Sequence, residues 1–153
     1  MSDLTDKTIL ITGAGGVLGS SHVNLLLECG ARVIGTDLPG ERSSSLKARF
    51  KSNSKFSYYD LDISSEAEIK KIFQSLTEAN LRPNVVVNNA AITGELLMGQ
   101  GGSFPSFAET SVHDWEKTLR VNLTGPFLLA RQMDIEIIGK YPCQLINVAS
   151  MYA

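Results

Sequence analysis

Four short apolar runs, Thr8–Ile11, Arg32–Gly35, Val85–Val87 and Leu145–Val148, recur along this chain with longer amphipathic stretches between them. Such runs, rich in β-branched residues, have the pattern of strands covered on both faces, because they do not alternate between apolar and polar. Phe56–Leu61 is a weaker candidate with edge character. The stretches between read as helices. Ser65–Asn80 is the clearest, with Ile69, Ile72, Phe73 and Leu76 at helical spacing and Ser65 and Glu68 placed as a capping box. Leu18, Leu25, Leu26 and Cys29 predict the buried stripe of an earlier helix, ended by Gly30. Strand–helix alternation in this order requires right-handed crossovers. It therefore predicts an α/β fold, a doubly wound parallel sheet with helices on both faces.

A chain of 153 residues is long enough for one core and too short for two ordinary domains, so residues 1–153 read as a single unit. The aromatic content and mixed charge exclude a long disordered or collagen-like chain. A formal charge of −2 gives no electrostatic reason to expect nucleic acid or an anionic membrane surface as partner. No stretch approaches the roughly 18 apolar residues of a membrane span, and the charged opening MSDLTDKTILI does not read as a signal peptide. Cys29 and Cys143 lack CxxC spacing, so a reduced, cytoplasmic setting without disulfide or zinc is expected. His22 and His113 have no second His or Cys at ligand spacing, and no metal site is expected.

The first strand runs directly into TGAGGVLG, Thr12–Gly19, which opens the first helix. Glycines at Gly13, Gly15, Gly16 and Gly19 let the chain turn tightly. They also let a pyrophosphate approach backbone N–H groups at the helix N-terminus, Val17 and Leu18 included, where the dipole favours negative charge. The spacing is Gly13-x-x-Gly16-x-x-Gly19, not the commoner G-x-G-x-x-G, and alone it would suit a ligand-free turn equally well. The second strand, however, ends at Asp37, eighteen residues past Gly19, where an acid would accept hydrogen bonds from an adenosine ribose. Together these features predict dinucleotide binding. A carboxylate about 4 Å from a 2′-phosphate would meet repulsion on the order of a few kcal/mol at an effective dielectric near 20. With Arg42 several residues on and no other nearby cation, NAD(H) is expected over NADP(H). The fourth segment, Val85–Ala91, ends in Asn88, Asn89, Ala90 and Ala91, placing amides and small residues at the carboxyl edge of the sheet.

At this point the sequence resembles the short-chain dehydrogenase/reductase family, single-domain branch, over essentially its whole length. TGAGGVLG matches the family's glycine loop and Asp62-Ile63 its adenine-contacting pair. Asn88-Asn89-Ala90, Val121–Phe127 (VNLTGPF) and Ile146–Ser150 (INVAS) follow in the family's order. The resemblance implies a Rossmann-type sheet, incomplete at its C-terminal side, an NAD cofactor bordered by Asp62, Ile63, Asn89 and Ala90, and a small-molecule substrate. It also implies a homo-oligomer in the full-length form. Two positions depart from the branch: Val17 stands where it has a glycine, and Ala91 follows Asn-Asn-Ala in place of glycine. The TGxxGxxG spacing is more typical of the extended branch of sugar-nucleotide epimerases and dehydratases with tightly bound NAD. That branch is one alternative reading; a non-catalytic dinucleotide-binding fragment is another.

The resemblance carries a catalytic role onto Asn122 and Ser150, two members of an Asn-Ser-Tyr-Lys set. A helix capped by Ser111, with Asp114 in its first turn, is predicted around Asn122, whose stripe mates are Trp115, Leu119, Leu129 and Met133. Asn122 is thus expected to be a buried amide. Pro126, four residues on, has no N–H for the Asn122 carbonyl, so a kink and a free carbonyl are expected. In the family that carbonyl holds a relay water, and the serine hydroxyl bonds the substrate oxygen. The family's Tyr and Lys have no counterpart: Asp62, Ile63 and Leu145 stand four residues after Tyr58, Tyr59 and Tyr141, and Tyr152 is too close to Ser150. By itself the segment is expected to be inactive, with Leu145–Val148 an exposed apolar edge. The long segment Gly94–Ser111, with Gly99, Gly101 and Gly102, reads as a functional or mobile loop in which Phe104 and Phe107 line substrate space or anchor to the core.

Overall fold

The computed structural model describes residues 3–93 and 106–150. Gly99, Gly101, Gly102, Phe104 and Tyr152 lie outside the described residues. The five strands are β1 (Thr8–Thr12), β2 (Arg32–Asp37), β3 (Phe56–Asp60), β4 (Val85–Asn88) and β5 (Gln144–Asn147). They form one parallel sheet in the order β3-β2-β1-β4-β5, with Ile9 opposite both Val33 and Val85. The helices are α1 (Val17–Glu28), α2 (Glu41–Arg49), α3 (Glu66–Glu78), α4 (Val112–Leu119) and α5 (Gly125–Glu136). A π-helical turn, Arg120–Thr124, joins the last two.

Both faces of the central strands are covered, as their unbroken apolar runs require. Leu10, Ile34 and Val86 pack with Ile69, Phe73 and Leu76 of α3 and with Leu129 and Met133 of α5. On the other face Ile9, Ile11, Val33 and Val85 pack with Val23 of α1 and Leu46 of α2. The β3 strand is an edge, as predicted. β5 is the other edge: all four of its residues are exposed and Leu145, Ile146 and Val148 present apolar surface, which matches the expected exposed apolar edge and overturns the expectation of a strand covered on both faces. Among the described residues its one strand neighbour is β4.

Helix α3 follows its sequence pattern, and the Ser65 hydroxyl accepts the Glu68 N–H. The capping box is only half formed, because the Glu68 carboxylate reaches past Ser65 to accept the Asp62 N–H at 2.8 Å. Helix α1 buries a different stripe from the one expected: Leu18 and Leu25 are exposed, whereas Gly19 and Val23 are buried. The cause lies at Gly19, where any Cβ would collide with the Gly13 carbonyl. The helix sits close against the glycine turn at Gly19, with Leu18 and Leu25 facing outward, while Leu26 of the expected stripe does pack against the core. Gly30, at φ +89, ends it as predicted. Helix α2 has no apolar periodicity, buries only Ser43 and Leu46, and is not among the helices the sequence predicts.

Around Asn122 the cap forms as expected, with the Ser111 hydroxyl accepting the Asp114 N–H at 3.0 Å. The apolar stripe does not: Trp115, Leu119 and Asn122 are exposed, and burial begins with Gly125, Leu128 and Leu129. In place of a simple kink the chain inserts the π turn, in which Gly125 N–H bonds to the Arg120 carbonyl five residues back. Pro126 then sits in the first turn of α5, where its missing N–H costs least.

Candidate functional site

The carboxyl ends of β1, β2 and β4 open into a cavity of about 590 Å³. Of the predicted cofactor residues, Gly13, Gly16, Val17, Leu18, Gly19, Asp37, Asp62, Ile63, Asn89 and Ala90 line it. Gly15 stands behind this wall, and its N–H donates to Asp37 Oδ2 at 2.8 Å.

The turn after β1 is held from below by β4. Thr12 Oγ1 accepts the N–H groups of Asn89 and Ala90, each at 3.0 Å, while the Asn89 side-chain amide donates to the carbonyls of Thr12 and Gly13 at 2.9 and 3.3 Å. Gly13 is in the left-handed region at φ +65, and a Cβ there would lie 2.8 Å from Ala90 Cα. This close approach is why a small residue follows Asn89. Above the turn, α1 begins at Gly16 with no side-chain cap, and Val17 is 81% exposed. A helix N-terminus with bare N–H groups, glycines beneath and exposed apolar side chains at its rim suits a covering anionic ligand. The pyrophosphate of a dinucleotide fits that description.

Asp37 sits at the opposite lip. Besides Gly15, its carboxylate accepts the Leu38 N–H at 2.8 Å through Oδ1. Each oxygen thus keeps acceptor capacity for a sugar hydroxyl. Asp62 Oδ1 accepts the Ser64 N–H at 2.8 Å, and this turn presents Ile63, itself packed close to Gly125. Arg42, which the sequence reading sets aside as several residues distant, lines the cavity, as do Lys117 and Arg120, which it does not name. Arg42 is far from the glycine loop in sequence, but the first turn of α2 brings its Cβ within 3.3 Å of where a Gly15 Cβ would stand. Arg120 Nε donates to the Ser64 carbonyl at 3.0 Å.

Asn122 and Ser150 do not line this cavity. Contrary to expectation Asn122 is exposed, and its amide is bound twice to one residue: Oδ1 accepts the Ile92 N–H and Nδ2 donates to the Ile92 carbonyl, both at 2.8 Å. The side chain therefore clamps the segment after β4 to the π turn. Ser150 follows β5 and is exposed. Asn88 and Asn147, paired at the strand ends, join side chains at 2.8 Å. Phe107 is 95% exposed and does not anchor its segment to the core. Among the described residues no cluster of His, Cys, Asp or Glu could hold a metal ion, and no helix is long and apolar enough to cross a membrane.

The family model for short chain dehydrogenases matches residues 7–153. A 2,5-dichloro-2,5-cyclohexadiene-1,4-diol dehydrogenase of Sphingobium indicum is 31% identical over 152 residues, which are 99% of this chain and 57% of that protein. A 3-oxoacyl-(acyl-carrier-protein) reductase of Aquifex aeolicus is 29% identical, over 97% of this chain and 57% of its own. Among solved structures, a short chain dehydrogenase from Leptospira borgpetersenii with bound NAD+ superposes with a TM-score of 0.79 at 30% identity. The match covers 98% of this chain and 54% of that one. The chain spans a little over half the length of these relatives.

Proposed function

The chain belongs to the short-chain dehydrogenase family, and from that membership we propose that it binds NAD(H) for an oxidoreductase acting on a carbonyl or secondary alcohol of a small molecule. When bound, the nicotinamide supplies or takes up the hydride. The observation that carries the reading is the Asp37 carboxylate at the lip of a glycine-floored cavity, facing an uncapped helix N-terminus. In this reading Gly13, Gly16, Val17, Leu18 and Gly19 hold the pyrophosphate and Asp37 accepts the adenosine ribose hydroxyls. Asp62 and Ile63 border the adenine; Asn89 and Ala90 border the inner nucleoside. Gly15 acts from behind, orienting Asp37.

Asn122 and Ser150 take their proposed roles from the family. The Asn122 carbonyl, to which Pro126 can donate nothing, holds a relay water, and the Ser150 hydroxyl bonds the substrate oxygen. No tyrosine in the sequence has a lysine four residues later, so the 153-residue chain is proposed to bind the dinucleotide without turning over substrate. A cytoplasmic setting and a homo-oligomeric full-length form belong to the same reading. The free thiols of Cys29 and Cys143 agree with the former.

Fluorescence titration with NADH and NADPH tests it. NADH is expected to bind the tighter, and Asp37→Ala to weaken NADH at least tenfold, about 1.4 kcal/mol. Tighter NADPH binding, or an Asp37→Ala variant that holds NADH unchanged, would overturn the assignment.

A further inference from the structure

Beneath the adenosine end of the cavity lies a polar group that the reading above leaves unused. Ser43, in the first turn of α2, is only 2% exposed, and its hydroxyl donates to the Leu38 carbonyl across the β2–α2 turn. Leu38 in turn gives its N–H to Asp37 Oδ1, and Asp37 Oδ2 takes the Gly15 N–H. The residue before Ser43 is Arg42, whose backbone packs against Gly15. One buried hydroxyl is therefore bonded, through Leu38, to the turn that carries the Asp37 carboxylate, and it is next in sequence to Arg42, which also lines the cavity. Those two favour opposite ligands: the carboxylate accepts from a ribose 2′-hydroxyl and repels a 2′-phosphate, whereas the guanidinium attracts the phosphate.

We propose that Ser43 is a positioning residue that holds the Asp37 carboxylate at the cavity rim, and so sets the preference for a 2′-hydroxyl over a 2′-phosphate on the adenosine. The inference rests on the dinucleotide reading of the cavity. Without its bond to Ser43, the Leu38 carbonyl no longer ties the turn to α2, and the Asp37 carboxylate loses the restraint relayed through Leu38. A second hydroxyl lies under the same helix turn and provides a control. The Tyr58 hydroxyl is buried beside Ser43 but forms no well-aligned hydrogen bond with it or any other described group.

The test is the ratio of NADPH to NADH dissociation constants, read by nucleotide fluorescence on the 153-residue chain, with thermal melts alongside. Ser43→Ala is expected to lower that ratio at least threefold, mainly through weaker NADH binding. Tyr58→Phe, which removes the neighbouring hydroxyl but leaves the Ser43–Leu38 bond in place, is expected to leave it unchanged. Should Ser43→Ala fail to fold, Ser43→Cys keeps the volume, weakens the donor and carries the same expectation. An unchanged ratio in the folded serine variant, in a wild-type chain that prefers NADH, overturns the role of Ser43 alone. A Tyr58→Phe shift as large as that of Ser43→Ala overturns it too, by assigning the effect to packing under α2. A wild-type chain that binds neither nucleotide overturns this inference and the cofactor reading together.

Discussion

Gly13 combines two demands that only a glycine can meet: a left-handed backbone at φ +65, and only 2.8 Å between its would-be Cβ and Ala90 Cα. Gly13→Ala is therefore expected to lower stability by roughly 1–3 kcal/mol, the usual cost of a strained backbone, and to weaken dinucleotide binding with it. A thermal melt beside an NADH titration reads both. The glycine spacing and Asp37 are legible in the sequence because each answers a local steric or electrostatic need. Arg42 is visible in the sequence but its place at the cavity is not legible there, since only the return of α2 across the glycine loop brings it near. The burial of Asn122 is misread for a related reason. Helical spacing assigns it to the apolar face, but the π turn shifts the register, and the side chain satisfies itself on the Ile92 backbone.

Among the elements, α3 was the easiest to read and α2 the hardest. Four apolar side chains at helical spacing mark α3, whereas α2 (ERSSSLKAR) buries one leucine and one serine and offers no period. In α1 the spacing points to Leu18, Leu25 and Leu26, yet of these only Leu26 packs against the core, and the fully buried positions are Gly19, pressed against the glycine turn, and Val23. Helix α3 is tied to α5 by Glu66, whose carboxylate lies 2.6 Å from Lys70 Nζ and 2.7 Å from an Arg131 nitrogen. The Lys70 hydrogen bond and then the charges of Arg131 and Lys70 hold the Glu66 carboxyl below its ordinary value of 4.5. Stabilisation from a carboxyl lowered on folding is present above that ordinary value and is lost as pH falls through the folded one. Melting temperatures of the wild type and Glu66→Gln are thus expected to differ at neutral pH and to converge below pH 4.5. The gap should narrow in high salt, since all three groups are partly exposed.

At the scale of the whole molecule, strand–helix alternation and right-handed crossovers make the parallel sheet legible in the sequence, whereas the order β3-β2-β1-β4-β5 comes from the structure. The exposure of β5 was partly visible: its composition reads as interior, while its place in the order makes it an edge. Under α2, burial pushes the Tyr58 phenol up to about 12 from its ordinary 10.0, outweighing the nearby Ser43 hydroxyl, with Asp37 and Asp60 adding to the rise. A phenol whose folded value is raised contributes stability that is complete below pH 10 and is lost as pH climbs toward 12. Alkaline unfolding is expected to begin in that window and to be shallower in Tyr58→Phe, followed by circular dichroism against pH.

The Thr12 hydroxyl, which receives two N–H groups from a segment 77 and 78 residues further along the chain, makes the glycine turn and the exit of β4 a single mechanical body. Neither half can breathe without the other. A ligand that presses on the turn is felt at once beneath Asn89 and Ala90, so the floor on which two ends of an extended molecule would rest tilts as one plank instead of two.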